Sequence, residues 1–233
     1  MVIAVPLALQ NLMMTSVNLV DNLMIGALGD TAIATVNLAN QFFFIFSLML
    51  FGMGSGSAVL LSQFWGKGDK SGMRRIAGLT FVLGLFVGLI FGAFAFICPE
   101  LIMKIFSEDP AVIAGGKIYI RIIAATYPLT AATTVISYFL KSTEEVKIPL
   151  YGSIFSIAVN IIFNYFLIFG TFGFPKLGIA GAAYATVLSQ IISSVLVLRT
   201  LTKEKGIYKL CWNKIRMHKY VMKEIFHIGL PTA

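Results

Sequence analysis

VIAVPLALQNLMMTSVNLVDNLMIGAL, residues 2–28, holds a single charged group, Asp21. The stretch is long enough to cross a bilayer, which takes about 20 apolar residues in a helix. An ionised side chain in hydrocarbon costs roughly 3 kcal/mol on insertion scales, so acids inside membrane spans mark ion or proton sites. Asp21 comes eight residues before Gly29, where Gly26-Ala27-Leu28-Gly29-Asp30 breaks the helix. At 1.5 Å per residue that is about 12 Å below the turn. A short side chain cannot reach the interface from there. Asp30 or Thr31 is expected to cap the next helix.

Apolar residues make up 58% of the chain and charged residues 12%, against about half and a quarter in a soluble domain. The excess falls in six blocks, 2–28, 32–64, 76–98, 118–140, 150–169 and 179–201. The second is overlong and is expected to tilt or to extend past the membrane. The expected fold is an all-α bundle of six transmembrane helices over residues 1–201. The start of the chain has no basic segment and too long an apolar run for a signal peptide. Pro99 and the Glu108-Asp109-Pro110 turn bound a short amphipathic segment, 100–106, read as an interfacial helix. Pro128 predicts a bend in the fourth span.

The net charge is +8, and its placement is a topology signal. Lys67, Lys70, Arg74 and Arg75 follow the second span, Lys141 and Lys147 the fourth. Eight more, from Arg199 to Lys223, follow the sixth. The other side holds only Lys104, Lys117, Arg121 and Lys176. Fourteen basic residues against four put both termini in the cytoplasm by the positive-inside rule. Membrane lipid, not nucleic acid, is the partner this pattern fits. Residues 202–226 are polar and basic and read as a cytoplasmic linker. Residues 227–233 then echo the start of the chain, Ile228-Gly229-Leu230-Pro231-Thr232-Ala233 against Ile3-Ala4-Val5-Pro6-Leu7-Ala8. Pro in the first turn of a new apolar helix suggests a second lobe. The chain reads as the N-terminal half of a twelve-span protein built from parallel repeats.

Polar side chains inside the spans need partners in the bundle or in water. Asn11, Thr15, Asn18 and Asn22 form a polar face beside Asp21. Asn160 and Asn164 are four apart in the fifth span and share a face. Thr186 lies in a small-residue stretch of the sixth, Gly181 to Thr186, which permits close helix approach. One carboxylate, two amide oxygens and a hydroxyl are hard ligands that suit Na⁺, or a proton held by hydrogen bonds. Asn37, Asn40 and Gln41 precede Phe42-Phe43-Phe44. Asn18, Asn37 and Gln41 are candidates to line a substrate cavity. Tyr119 and Arg121 read as an anchor at the membrane interface. Cys98 and Cys211 fit no metal or redox spacing, and His218 and His227 stand alone. No phosphate-binding loop, metal cluster or nucleophile with a base is present, so enzyme function is not indicated. No cofactor is called for beyond Na⁺ or H⁺ as a coupling ion.

Val20-Asp21-Asn22-Leu23-Met24-Ile25-Gly26-Ala27-Leu28-Gly29 resembles the first-helix signature of the MATE family, the multidrug and toxic compound extrusion transporters. Val36 to Gln41, then Ser62-Gln63-Phe64-Trp65-Gly66-Lys67-Gly68-Asp69, is similar to that family's second helix and following loop. Asn160, Asn164, Phe172 to Gly178 and Gly181 to Thr186 fit its fifth and sixth helices. The resemblance implies two six-helix lobes. It also implies export of organic cations or amphiphiles from the plasma membrane against inward Na⁺ or H⁺. It carries the first-lobe cation site onto Asp21, Asn160, Asn164 and Thr186, with Tyr119 nearby. Some family members have a second acid where this chain has Asn164, which leaves Asp21 as the only carboxylate in the spans. Two alternatives are a lipid-linked precursor flippase of similar fold, which calls for a basic cavity, and a non-transporting membrane scaffold.

Overall fold

A computed structural model describes residues 12, 16, 17 and 19–201. The expectations for Asn18, the linker 202–226 and the segment 227–233 lie outside these residues. All elements within them are helices. α1 is helical over 19–26. It is followed by α2 Asp30–Gly66, α3 Lys70–Ile97, α4 Pro99–Phe106 and α5 Pro110–Ile123. Then come α6 Thr126–Ser142, α7 Lys147–Phe169 and α8 Ile179–Leu198, the last ending in a 3-10 turn, Arg199–Leu201. Helices α2, α3, α7 and α8 are each long and apolar enough to cross a bilayer, and α5 with α6 makes a fifth, bent by 52°. The expected first span, 2–28, falls largely outside the described residues. Phe86, Leu89, Ile90 and Phe96 of α3 are exposed, as suits a surface that meets lipid rather than water.

Local chemistry explains where these helices begin and break. Asp30 and Thr31 do not cap α2. Gly29 takes the N-cap with φ 104° and ψ 170°, and no side chain bonds there. Only glycine holds that backbone at little cost, and Asp30 instead meets the positive end of the helix dipole in the first turn. The 37 residues of α2 rise about 55 Å, well beyond a hydrocarbon core of about 30 Å. α3 starts at Lys70, before the apolar run that marks it in the sequence. The Asp69 carboxylate accepts hydrogen bonds from the Ser71 and Gly72 amides, each at 3.0 Å, and such a cap starts a helix whatever the hydropathy.

The fourth span breaks at Ala124 and Ala125. Pro128 has no N–H for the Ala124 carbonyl four residues back, and its ring crowds that carbonyl. α3 fits into the break through small residues. A Cβ at Gly92 would lie 2.9 Å from the Ala124 carbonyl oxygen, and one at Gly88 2.9 Å from the Tyr127 carbonyl oxygen. α8 meets α7 the same way, since a Cβ at Gly181 would stand 2.5 Å from the Leu167 carbonyl oxygen. α6 is the hub, packed on α2, α3 and α8, while α7 packs on α8 and barely touches α6. The core has two parts. Tyr127 is fully buried among Phe42, Phe43, Phe46 and Phe91 at one end. Leu61, Met73, Leu79 and Phe139 anchor the other.

The short amphipathic segment is α4. Glu100 pairs with Lys104 on its own helix at 2.8 Å and with Lys117 of α5 at 3.1 Å. These two ammonium groups, Lys104 foremost, hold the Glu100 carboxyl well below its usual 4.5, at about 2.

Candidate functional site

α1, α2, the bent α5–α6 pair, α7 and α8 enclose a cavity of about 540 Å³. α1 contributes Asp21 and Asn22, and α2 contributes Asn37, Asn40, Phe43, Phe44 and Ser47. Tyr119, Thr126 and Thr130 come from α5 and α6, Asn164 from α7, and Thr186 and Gln190 from α8. Asp21 is the one charged side chain among the described lining residues.

The structure brings Asp21, Asn160 and Asn164 into direct contact. Asn164 Nδ2 donates to Asp21 Oδ1 at 2.6 Å and to Asn160 Oδ1 at 3.1 Å. Both asparagines are buried, and their spacing of four residues stacks them on one face of α7. The Asn160 amide has two orientations. In one its oxygen accepts from Asn164 and then stands about 2.9 and 3.3 Å from the two Asp21 oxygens. In the other its nitrogen donates to those oxygens but lies 3.1 Å from the Asn164 nitrogen, donor against donor. With Asp21 ionised, neither orientation satisfies every group. A proton on Asp21 resolves the first orientation by donating to the amide oxygen, and a small hard cation among the oxygens resolves it as well. Asn164 Oδ1, buried without a hydrogen-bond partner among the described residues, is a further acceptor. Asp21 meets no basic side chain among the described residues; its recorded partner is the Asn164 amide.

Thr186 lines the same cavity, its hydroxyl donating to the Ala182 carbonyl at 3.0 Å. Tyr119 is not the interfacial anchor read from the sequence. It is 5% exposed, lines the cavity and neighbours Thr186 and Asp21. Two residues along a helix turn the side chain by about 200°, so Tyr119 faces inward while Arg121 faces out. The Arg121 guanidinium sits 5.8 Å from the centre of the Phe96 ring.

Gln41 is also misplaced by the sequence reading. It is exposed and outside the cavity wall. At 100° per residue, Val36, Asn37, Asn40, Phe43, Phe44 and Ser47 share one broad face of α2, and Gln41 lies on its flank. Asn37 does line the cavity. The three aromatics divide, with Phe43 and Phe44 in the wall and Phe42 packed on Phe91 and Tyr127. Ser47, Thr126, Thr130 and Gln190 are lining residues that the sequence reading missed. The available signal was spacing, because Gln190 follows Thr186 by four residues and Thr130 follows Thr126 by four.

The MatE family model matches residues 6–166. The chain is 31% identical to a probable multidrug resistance protein, YoeA of Bacillus subtilis (strain 168), over 98% of its own length and 50% of the relative's. A probable multidrug resistance protein NorM of Thermotoga maritima is 26% identical over 99% of the chain and 50% of its own length. Among solved structures, the outward-facing conformation of a multidrug resistance MATE family transporter of the MOP superfamily superposes with a TM-score of 0.90. It is 20% identical, with 99% of this chain and 51% of that one covered. A MOP superfamily transporter of Pyrococcus furiosus, described as having a binding pocket of reverse polarity, gives 0.88 at 20% identity over 99% and 50%. These likenesses at low identity carry the fold. The chain spans about half the length of the curated relatives it matches. On the family match and the Bacillus relative together, the chain belongs to the MatE family of multidrug efflux transporters.

Proposed function

We propose that the chain forms one six-helix lobe of a cation-coupled antiporter that exports organic cations or amphiphiles across the plasma membrane. A second six-helix lobe would complete it, and both ends of this lobe would face the cytoplasm. One observation carries the reading. A lone carboxylate, bonded by the buried Asn164 amide that also donates to Asn160, opens into a cavity with no basic lining residue among those described. Such a cavity attracts positive charge. A flippase for phosphate-bearing precursors would need the opposite sign there.

Coupling follows from the unsatisfied triad. A proton and a Na⁺ compete for the same Asp21 oxygens, and each fixes a different set of hydrogen bonds among Asp21, Asn160 and Asn164. An ion that binds two helix arrangements unequally shifts the balance between them, which is what a gradient needs to drive alternating access. Efflux of a fluorescent organic cation from energised vesicles tests the reading, with wild type and Asp21→Asn at matched protein levels. The amide keeps size and much of the hydrogen bonding but cannot change charge. Loss of gradient-driven efflux is expected. Undiminished gradient-dependent efflux in Asp21→Asn would show the carboxylate to be structural.

A further inference from the structure

A second cavity, of about 300 Å³, lies between α6, α7 and α8 at the opposite, basic end of the lobe. Three helix faces converge on it. α6 presents Thr134, Ser137 and Lys141, α7 presents Ser153 and Ser156, and α8 presents Ser193. Their spacings of three and four residues put each set on one side of its helix.

Hydroxyls inside membrane helices normally bond back to a carbonyl one turn earlier. Several here do, as Thr80 does to Ile76 at 2.9 Å and Thr35 to Thr31 at 2.6 Å. Thr134, Ser137, Ser156 and Ser193 form no such bond, and the Lys141 ammonium has no ion pair, among the described residues. Among the described residues the lining includes no carboxylate. A half-buried ammonium that shares a cavity with unused hydroxyl donors matches an oxyanion, which accepts strong charge-assisted hydrogen bonds from both groups.

We propose that this cavity binds a phosphate group, with Lys141 as the counter-charge and Thr134, Ser137, Ser156 and Ser193 as donors. The group arrives either on an anionic amphiphile of the adjoining leaflet or as a free soluble phosphate. This site is separate from Asp21 and does not depend on how Asp21 couples transport.

The test uses the full chain purified in detergent and in nanodiscs. Two probes are measured, inorganic phosphate by calorimetric titration and phosphatidylglycerol retention by native mass spectrometry against phosphatidylcholine. Variants are Lys141→Met, Lys141→Arg, the double change Ser137→Ala with Ser156→Ala, and Lys176→Met at the other end as a control. Saturable binding of at least one probe is expected. It should weaken at least tenfold in Lys141→Met, weaken in the double variant, and persist in Lys141→Arg and Lys176→Met. Phosphate binding without lipid selectivity assigns a soluble source, and lipid retention that phosphate does not displace assigns the amphiphile. Circular dichroism shows that each variant is folded. Absence of saturable binding for both probes, or binding unchanged in both folded Lys141→Met and the double variant, overturns the site.

Discussion

The two cavities share walls and differ in sign. Thr130 and Gln190 line both, so helices α6 and α8 run past Asp21 at one end and Lys141 at the other. At Asp21 the direct hydrogen-bond donor is an amide, with the Tyr119 and Thr186 hydroxyls in the same cavity, and the charge is negative. Near Lys141 they are hydroxyls and the charge is positive. The contrast teaches that α6 and α8 serve both cavities, while the sign at each end is set by the element that adds the charge, α1 with Asp21 and α6 with Lys141. Between the cavities, the Gln190 amide of α8 donates to the Thr133 hydroxyl of α6 at 3.1 Å.

The comparison breaks most severely at the negative end. Asn164→Leu keeps the bulk but removes the donor that reaches Asp21 Oδ1 at 2.6 Å. A hydrogen bond to a charged group contributes about 1.5–3 kcal/mol, so Na⁺ affinity, measured by calorimetric titration, should fall roughly tenfold or more. The same change should leave phosphate binding at Lys141 intact. Coupled loss at both cavities would show that the two ends are not independent.

The next effect is on the bend that separates the two ends. Gly92→Val drives a side chain towards the Ala124 carbonyl oxygen, 2.9 Å from where its Cβ would stand. Overpacking of this kind costs about 1–3 kcal/mol. A lower melting temperature in detergent is expected, with both cavities weakened because α6 starts at this break. An unchanged melting temperature would mean that α3 does not hold the bend.

The smallest effect belongs to a third charged cluster, exposed rather than enclosed. Glu100 has its carboxyl depressed to about 2 by Lys104 and Lys117. A depressed acid stabilises the fold above its unfolded value and loses that contribution as pH falls through the folded one. Stability should therefore decline between about pH 5 and pH 2, slightly, because exposed pairs are screened by solvent and salt. Glu100→Gln should flatten that limb of a melting-temperature series without changing ion binding at Asp21. An identical acid limb in the variant would assign the decline to other groups.

Much of this was legible in the sequence, and the failures have physical causes. Asp21 stood out because a charge in an apolar run is costly, and Asn160 with Asn164 because a four-residue step stacks side chains. Helix ends were less legible. Gly29 and Asp69 set them through backbone conformation and capping, which hydropathy does not register. For Tyr119 the resemblance pointed to the cavity it lines, while its place near a span boundary suggested an anchor, because the side it faces depends on how α5 packs. Gln41 was misread because neighbouring amides look alike in a sequence, and the choice between flanks of α2 is made by contacts with other helices. The hydroxyls around Lys141 were passed over because serine and threonine are ordinary in membrane helices until their unused donors are seen to converge.

The most direct measurement is infrared difference spectroscopy of the protein in lipid, with Na⁺ added at constant pH. A protonated carboxyl absorbs apart from an ionised one. If Asp21, Asn160 and Asn164 form a centre where a proton and Na⁺ compete, adding Na⁺ should bleach a protonated-carboxyl band in the wild type, and the bleach should vanish in Asp21→Asn. A wild-type spectrum indifferent to Na⁺, or a bleach that survives in Asp21→Asn, would contradict that centre.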